Sequence, residues 1–234
     1  TDTAPAMVAT AVETYGVELR QDMVLDRENA VVGLAFTRRG LAEVSHPASF
    51  TMSKIDRSLP FTQDFGTIGM PGPSSIVIQP SAKENENLET FEVVKTEDSA
   101  VRRPDPPTNF KYKDLRAEKD SEEPGPFVVA AALKGKIPSY FADNPVPEGF
   151  SEEDVVKNQE AASRILVVGS GEFFRPVKKL GYSQKLAGIG GQFLISSLEW
   201  LVQDNALTEI RGKQMPRLIG EVPQDKQRAI QLIN

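Results

Sequence analysis

The sequence predicts an α/β fold with a mostly parallel sheet, and two segments toward its C-terminal end carry this prediction. Residues 165–168 are a short apolar run, mostly β-branched, that ends at a glycine. Such runs are typical of strands that are buried on both faces of a parallel sheet. Residues 191–202 then have helical spacing, with Leu194, Leu198 and Leu201 in one apolar row. A strand, a turn and an amphipathic helix in this order form half of a βαβ unit.

Earlier segments supply further elements of this fold. Residues 127–133 form a second wholly apolar run, and residues 5–15 have helical periodicity that stops at Gly16. Proline-rich stretches within residues 45–79 predict loop-rich insertions. The other strand candidates are short and cover residues 17–19, 23–25, 30–36, 76–78 and 91–95.

The domain organisation follows from composition along the chain. We expect residues 1–222 to form one soluble α/β domain. Residues 97–126 are rich in proline and charge and contain few apolar groups, which predicts a mobile insertion or, alternatively, a partner-binding loop. Residues 223–234 have the pattern of a helix that is cut off in mid-course. The chain begins at Thr1, and we expect it to be a piece of a longer protein.

Composition narrows the class of function. The chain has 234 residues, of which 39% are hydrophobic and 26% are charged, as in soluble globular proteins. The net charge of -6 and the lack of a basic stripe argue against a nucleic-acid partner. No apolar run in the sequence is long enough to span a bilayer.

Two residue counts restrict the available chemistry. The chain has no cysteine, which excludes a cysteine nucleophile, disulfides and zinc–thiolate sites. It has one histidine, His46, so a Ser-His-Asp triad would have to use that residue. No acidic cluster has the spacing of a calcium loop. The sequence therefore predicts no metal site and no cofactor.

The turn Gly169-Ser170-Gly171-Glu172 is the candidate site, because ligands in open α/β sheets bind past the strand ends. It differs from a dinucleotide fingerprint, since Phe174 replaces the third glycine, and it lacks the Gly-Lys-Ser/Thr of a phosphate loop. It also lacks the glycine spacing of a nucleophile elbow. A structural turn is the first interpretation, a small-ligand or partner contact is the second, and catalysis is the third.

Four groups of segments, in order along the chain, resemble one known family. They match its Tyr-Gly-Ile … Val-Leu-Asp opening, its His-Pro-Ile-Thr … Phe-Pro-x-x-Ser-Ser stretch, its Gly-Pro-x-x-Leu-Ala segment and its Arg-Ile-Val-Val-x-Gly-Asp-Ser-Asp-Phe … Asn-Trp-Leu ending. The matching residues are 12–19 with 22–26, 59–62 with 70–75, 125–141, and 164–174 with 193–201. The family is the auxiliary component of uncharacterised ABC-type transport systems, which includes gliding-motility auxiliary proteins.

This resemblance implies a three-layer α/β fold similar to the class I glutamine-amidotransferase-like layout, without its catalytic cysteine. It implies a location on the periplasmic or extracytoplasmic face of the inner membrane, with anchoring by a span outside this chain. Residues 1–222 would be the later portion of the extracytoplasmic region, and residues 223–234 would start a juxtamembrane helix. The partners implied are the permease and ATPase subunits. Because the family's Asp-Ser-Asp is Ser170-Gly171-Glu172 here, we assign no metal to the turn.

The sequence thus predicts a non-enzymatic accessory domain that acts by binding partner subunits, a transported substrate or a surface substrate. Two alternatives stay open. One is a polysaccharide- or glycan-binding module, in which an exposed Trp200 or Tyr140 would form the sugar platform. The other is a degenerate hydrolase that uses Ser170 and His46.

Overall fold

The computed structural model describes residues 12–37, 40–105, 112–137, 139–142, 144–146, 148–156 and 162–202. Within them the strands are β1 Val17–Leu19, β2 Met23–Leu25, β3 Ala30–Thr37, β4 Gly40–Met52, β5 Lys54–Ile55, β6 Ile68–Pro71, β7 Ile76–Ile78, β8 Leu88–Lys95, β9 Val101–Arg103, β10 Glu123–Pro124, β11 Val128–Gly135 and β12 Ser163–Val168. The α-helices are α1 Pro80–Lys83, α2 Tyr112–Arg116 and α3 Gln184–Leu201. Short 3-10 turns cover Pro60–Thr62, Tyr140–Ala142, Glu152–Asp154 and Lys178–Leu180.

The strands of the described residues form three sheets. The largest runs β1-β7-β11-β8-β5, and β12 also pairs with β11. The other two sheets have three strands each, in the orders β10-β9-β2 and β3-β4-β6. Strand β11 is central because it pairs with β7, β8 and β12.

The predicted mostly parallel, three-layer α/β fold is wrong. Every strand pairing among the described residues is antiparallel. The run that suggested a parallel strand is β12, and it lies antiparallel to β11, with Val168 opposite Ala130 and Ser163 opposite Gly135. The structure is a set of antiparallel sheets with few helices.

The apolar character of β12 has a different cause from the one predicted. Leu166 and Val168 pack against one core cluster, whereas Ile165 and Val167 belong to a second cluster. Successive side chains of a strand point to opposite faces, so the sheet separates two cores and needs apolar residues at every position. Two-sided burial of this kind does not distinguish a parallel from an antiparallel strand. Of the four, only Val167 is fully buried.

Strand β4 contains a wide register shift. Ala30 on β3 lies opposite Phe50, but the next residue, Val31, lies opposite His46. The extra residues of β4 include Pro47 and bend the strand. Beyond this shift, Ser49–Met52 pair with β6, and Phe50 also lies opposite Ala30 of β3. Strand β4 therefore pairs with β3 along its first part and with β6 along its last part.

Helix α3 begins seven residues earlier than predicted. Ser183 is its N-cap, and its side chain accepts a hydrogen bond from the Leu186 N–H. The predicted apolar row is divided between two faces, because Leu194 and Leu201 pack against the core while Leu198 is 51% exposed. The buried face carries Phe193, Ser197 and Trp200 instead.

Aromatic rings hold α3 on the sheets. Phe193 lies 5.6 Å from Phe61, 5.7 Å from Phe65 and 6.0 Å from Phe173, measured between ring centroids. Trp200 lies 5.2 Å from Phe61. Edge-to-face and tilted contacts at these distances are favourable. These rings join α3 to the 60–62 turn and to the segment after β12.

Part of the segment predicted as a mobile insertion lies in regular structure. Strands β9 and β10 pair with each other, and β9 also pairs with β2. Residues 106–111 lie outside the described residues, as do residues 203–234 with the predicted juxtamembrane helix. Among the described helices none has the length and hydropathy needed to cross a bilayer.

Candidate functional site

The turn that follows β12 packs tightly against the segment between β6 and β7. Gly169 donates its N–H to the Val129 carbonyl at 2.8 Å, and its own carbonyl accepts from the Ser74 N–H at 2.8 Å. A Cβ atom at position 169 would lie 2.1 Å from the Ser74 carbonyl oxygen. Glycine is therefore required here by the close approach of two backbones.

The side chain of Ser170 points into the protein. The residue is 5% exposed, and its hydroxyl donates to the Pro71 carbonyl at 2.7 Å. The Glu172 N–H donates to the Ser170 hydroxyl oxygen at 3.4 Å. A serine nucleophile needs a neighbouring base to accept its proton, whereas this proton is given to a backbone carbonyl.

The remaining positions of the turn face outward. A Cβ atom at Gly171 would meet nothing within 4 Å. Glu172 forms an exposed ion pair with Arg175. The hydrogen bond from Arg175 lowers the pKa of the Glu172 carboxyl. Of the four predicted site residues, Gly169 and Ser170 contact residues 71–75, and Gly171 and Glu172 form the outer side of the turn.

A buried carboxylate extends this contact. Asp22 is 6% exposed, and its carboxylate accepts from the Ser75 N–H at 2.7 Å and the Ser75 hydroxyl at 2.5 Å. The Ser74 hydroxyl donates to the Asp22 carbonyl at 2.8 Å. Arg102 supplies the opposite charge, 3.3 Å from Oδ2. Asp22, residues 71–75 and Gly169-Ser170 thus meet at one place, which we call the loop junction.

A second buried aspartate fixes the turn after β2. Asp26 is fully buried, and its carboxylate accepts from the N–H groups of Glu28 and Asn29 at 2.9 and 3.0 Å. The Asn29 amide and the Ser99 hydroxyl also donate to it, each at 3.0 Å. These bonds connect the β2–β3 turn to the segment before β9. Buried carboxylates that are satisfied in this way hold loops in one conformation.

A polar groove of about 440 Å³ opens beside Asp26. Its wall carries Glu97, which accepts from the Ser53 N–H at 3.0 Å and the Ser53 hydroxyl at 2.6 Å. The hydroxyl bond is the main cause of the lowered pKa of Glu97. Lys54 lies 2.8 Å from the Asp98 carboxylate on the same side. The residues that line the groove are Glu28, Asn29, Thr51, Met52, Ser53, Thr67, Glu97, Asp98 and Ser99.

The groove is suited to a polar or cationic partner. Three of its lining residues are carboxylates, and all but Met52 of the others are polar. Small-molecule pockets are mostly apolar, and this groove is not. Its walls offer hydroxyl, amide and carboxylate oxygens, which accept hydrogen bonds from lysine, arginine or backbone N–H groups.

Two arginines anchor the chain next to α2. Arg103 is 1% exposed and donates to the Glu122 carboxylate at 2.8 Å and to the carbonyl of Asp114 at 3.0 Å. It also donates to the carbonyls of Leu115 and Ala117. Arg27 reaches the same Glu122 carboxylate at 2.7 Å. The last carbonyls of α2 therefore accept hydrogen bonds from guanidinium groups. Cationic side chains commonly donate to the free carbonyls at helix C-termini.

Acid should weaken this anchor, and the direction of the pKa shift gives the pH range. Burial acts to raise the pKa of Glu122, but the hydrogen bonds from Arg27 and Arg103 outweigh it and hold the pKa below its usual value of 4.5. A lowered pKa contributes stability that is present above 4.5 and is lost as the pH falls through the folded-state pKa. We expect the free energy of unfolding to fall below pH 4.5, and Glu122→Gln to reduce that slope.

Urea unfolding at pH 7, 5, 4 and 3 measures this effect. The control is Glu89→Gln, which changes a 60% exposed carboxylate that is paired with Lys134 on the surface, and it is expected to leave the slope unchanged. An equal acid slope in the unaltered chain and in Glu122→Gln would contradict the assignment.

The residues named for the two alternatives lie as follows. Trp200 is 2% exposed, and the Arg164 guanidinium lies 5.1 Å from its ring centroid, so it does not form a sugar platform. Tyr140 packs against Phe141 in a 3-10 turn. His46 is 4% exposed within β4. Within the described part of the chain no group of His, Asp or Glu residues is arranged to hold a metal ion.

Sequence analysis did not assign Asp22, Asp26 or Arg102 to a site. The available signal was the pair of aspartates that bracket residues 23–25, which belong to the segments carrying the family resemblance. Asp22 depends on Ser75 and Asp26 on Ser99, and Arg102 forms an ion pair with Glu123 as well as with Asp22. These partners are distant in the sequence.

A family model described as ABC-type uncharacterized transport system matches residues 9–189. The chain belongs to this family. The predicted resemblance is confirmed, and so is the association with an ABC transport system as an auxiliary component. No curated protein and no solved structure matches the chain. The matched region contains the whole loop junction and the polar groove, so both are features of the part of the chain that defines the family.

Proposed function

We propose that this chain is a non-enzymatic, extracytoplasmic accessory domain of an ABC-type transport system of the gliding-motility type. It acts by binding partner subunits, the permease and ATPase, or a transported or surface substrate. The family match over residues 9–189 supports the transport role. The extracytoplasmic location and the gliding-motility type rest on the resemblance of the segments described above.

The observation that carries the binding role is the hydrogen bonding of the loop junction. The Ser170 hydroxyl donates to the Pro71 carbonyl, and both oxygens of the Asp22 carboxylate accept from Ser75. Polar groups whose hydrogen bonds are satisfied in this way stabilise the loops. They fix the shape of the surface and are not poised for a reaction. The loops they hold carry the outer side of the Gly169–Glu172 turn. The polar groove lies beside Asp26, which accepts hydrogen bonds from the groove residues Glu28, Asn29 and Ser99.

The polar groove is the contact we assign to a partner subunit. The carboxylates of the groove favour a basic segment of the partner. Charges at the rim of an interface mainly set the association rate and the specificity of binding. For an extracytoplasmic domain, the permease is the subunit within reach, and the ATPase would be recovered through it.

Affinity purification of the full-length protein from its own membranes tests this role. We expect the permease and ATPase to be recovered together. The Asp98 side chain lines the groove and is 80% exposed. Asp98→Lys reverses its charge and is expected to reduce the recovery of both subunits. The matched control is Glu89→Lys, because Glu89 is also an exposed carboxylate that lies 2.8 Å from a lysine, yet it does not line the groove.

The outcomes separate the two parts of the proposal. Repeated recovery of neither subunit would contradict the accessory role. Recovery that is equal in both variants would contradict the groove as the contact and leave the accessory role standing.

The location is tested by labelling, which the absence of native cysteine makes simple. Asp120→Cys introduces one exposed thiol, and Ala132→Cys introduces one at a position that is 1% exposed. A membrane-impermeant maleimide should label the first variant, but not the second, in cells with a permeable outer membrane. Labelling of Asp120→Cys only after lysis would place the domain in the cytoplasm and contradict the proposal.

Ser170→Ala distinguishes a structural serine from a nucleophile. We expect it to lower the free energy of unfolding by about 1 kcal/mol, since the Pro71 carbonyl loses its buried donor. Recovery of the partner subunits should be unchanged in the folded variant. Ser81→Ala, at an exposed position of α1, is the control and should leave stability within about 0.5 kcal/mol. Unchanged stability together with loss of a hydrolytic activity would contradict our assignment.

A further inference from the structure

The outward face of α3 carries an exposed apolar stripe. Ile195 is 49% exposed, Leu198 is 51% exposed, and Val202, just beyond the last turn, is 75% exposed. Gly188, Gly191 and Gln184 continue the same line toward the N-terminus, at spacings of three and four residues. These six positions follow a 3.5-residue repeat, the pattern of helices that pack lengthwise against another helix. We call them the outer stripe.

The two glycines of the outer stripe are not explained by packing inside the described chain. A Cβ atom at Gly188 or Gly191 would meet nothing within 4 Å, whereas one at Gly190 would lie 1.9 Å from the Phe173 carbonyl oxygen. A glycine inside a helix is destabilising relative to alanine. Gly190 has a reason within the fold, while Gly188 and Gly191 form a shallow notch that a second helix would fill.

We propose that the outer stripe binds the same stripe of a second copy of this chain, with the two α3 helices antiparallel. The order of three- and four-residue intervals along the stripe is the same in both directions. A twofold axis therefore places every stripe position of one copy opposite a stripe position of the other. In that register Leu198 lies opposite Gly188, Ile195 lies opposite Gly191, and Val202 lies opposite Gln184. Each large apolar side chain then meets a glycine or a flexible polar residue, which is the self-complementarity that a twofold interface requires.

The charges beside the outer stripe agree with this register. Lys185, Gln192 and Glu199 follow each other at seven-residue intervals along one flank. In that register the twofold axis is level with residue 193, so Lys185 of one copy lies within about 3 Å, along the helix axis, of the level of Glu199 of the other, and the two copies of Gln192 are offset by the same amount. Opposite charges at flanking positions set orientation in helix pairs. A parallel pair would instead place lysine beside lysine and glutamate beside glutamate.

The size of the interface sets the expected affinity. A helix of 18 residues is about 27 Å long, and one such pair falls at the low end of specific interfaces, below about 1,200 Å². We therefore expect a weak dimer with a Kd of roughly 1–100 µM, which membrane confinement would favour through the raised local concentration. This inference goes beyond the transport role and does not depend on it.

Cysteine crosslinking of the 234-residue chain tests the orientation directly. Gln192→Cys should form a covalent dimer on mild oxidation, because the two copies of position 192 flank the twofold axis and are only about 3 Å apart along the helix direction. The control is Lys185→Cys, also exposed on the same flank. In the antiparallel pair its two copies are about 24 Å apart along the helix axis, beyond disulfide reach. Equal crosslinking of both variants would indicate another arrangement and overturn the proposal.

Sedimentation of the unaltered chain and of stripe variants supplies the second test. Leu198→Glu and Gly191→Leu should each weaken association at least tenfold, the first by burying a charge and the second by filling the notch. Because both positions are open within the described residues, the thermal midpoint of the monomer should be unchanged in Leu198→Glu and higher in Gly191→Leu. A chain that stays monomeric at about 200 µM would overturn the proposal. So would a lower monomer midpoint in Leu198→Glu, which would mean that Leu198 is packed within the single chain.

Discussion

Replacing Arg103 with methionine is expected to lower the free energy of unfolding by about 3–5 kcal/mol, the largest effect among single substitutions at the anchor beside α2. The side chain is 1% exposed and donates to the Glu122 carboxylate and to three backbone carbonyls. Methionine has a similar length but no donor. The carbonyls would lose their partner in a buried place, and Glu122 would keep only Arg27.

Urea unfolding at pH 7 measures this loss. Arg175→Met is the matched control, because Arg175 also pairs with a glutamate but its side chain is 59% exposed. Exposed ion pairs contribute little to stability, so the control should be far less destabilising than Arg103→Met. If Arg103→Met costs no more than Arg175→Met, the anchor does not stabilise the fold in the way we describe.

Gly190→Ala is expected to destabilise the protein by about 2–4 kcal/mol, although alanine is normally the better helix residue. The added Cβ would lie 1.9 Å from the Phe173 carbonyl oxygen and 2.7 Å from the carbonyl carbon. Backbone atoms yield less readily than the end of a flexible side chain. Helix α3 would therefore have to move away from the segment after β12, which disturbs the ring contacts of Phe173 with Phe193.

Gly188→Ala is the control for this experiment, since it makes the same chemical change on the same helix. Its Cβ would meet no atom of the described residues within 4 Å, so we expect a gain in stability of about 0.5–1 kcal/mol. Both variants are measured by urea unfolding in dilute solution, where the chain is monomeric. Effects of the same sign in the two variants would contradict the placement of α3.

Sequence patterns located most of the elements of the described chain. The predicted strands at residues 17–19, 23–25 and 76–78 coincide with β1, β2 and β7. These are short apolar runs bounded by turn residues, and local chemistry suffices to recognise them. The start of α3 was placed too late because Gly188 and Gly191 resemble chain breakers, while the cap at Ser183 lies eight residues before the predicted start.

The direction of the strands was not predictable in the same way. The apolar run at residues 165–168 reports burial on two faces, and both parallel and antiparallel strands between two cores need such a run. The pairing of β12 with β11 depends on the path of the chain through residues 136–162, which carries no periodic pattern. The predicted parallel sheet rested instead on the strand, turn and helix within residues 165–202, which were interpreted as half of a βαβ unit.

The amino-acid sequence by itself determined the composition, the single histidine, the segments that form strands and the family to which the chain belongs. Only the tertiary structure decided that the sheets are antiparallel, that Ser170 donates to Pro71, and that Asp22 is held by Ser75 and Arg102. It also decided that Leu198 faces outward while Trp200 is buried. The physical reason is that strand runs and turns depend on neighbouring residues, whereas strand direction and the partner of a polar group depend on contacts between residues about 50 to 100 positions apart.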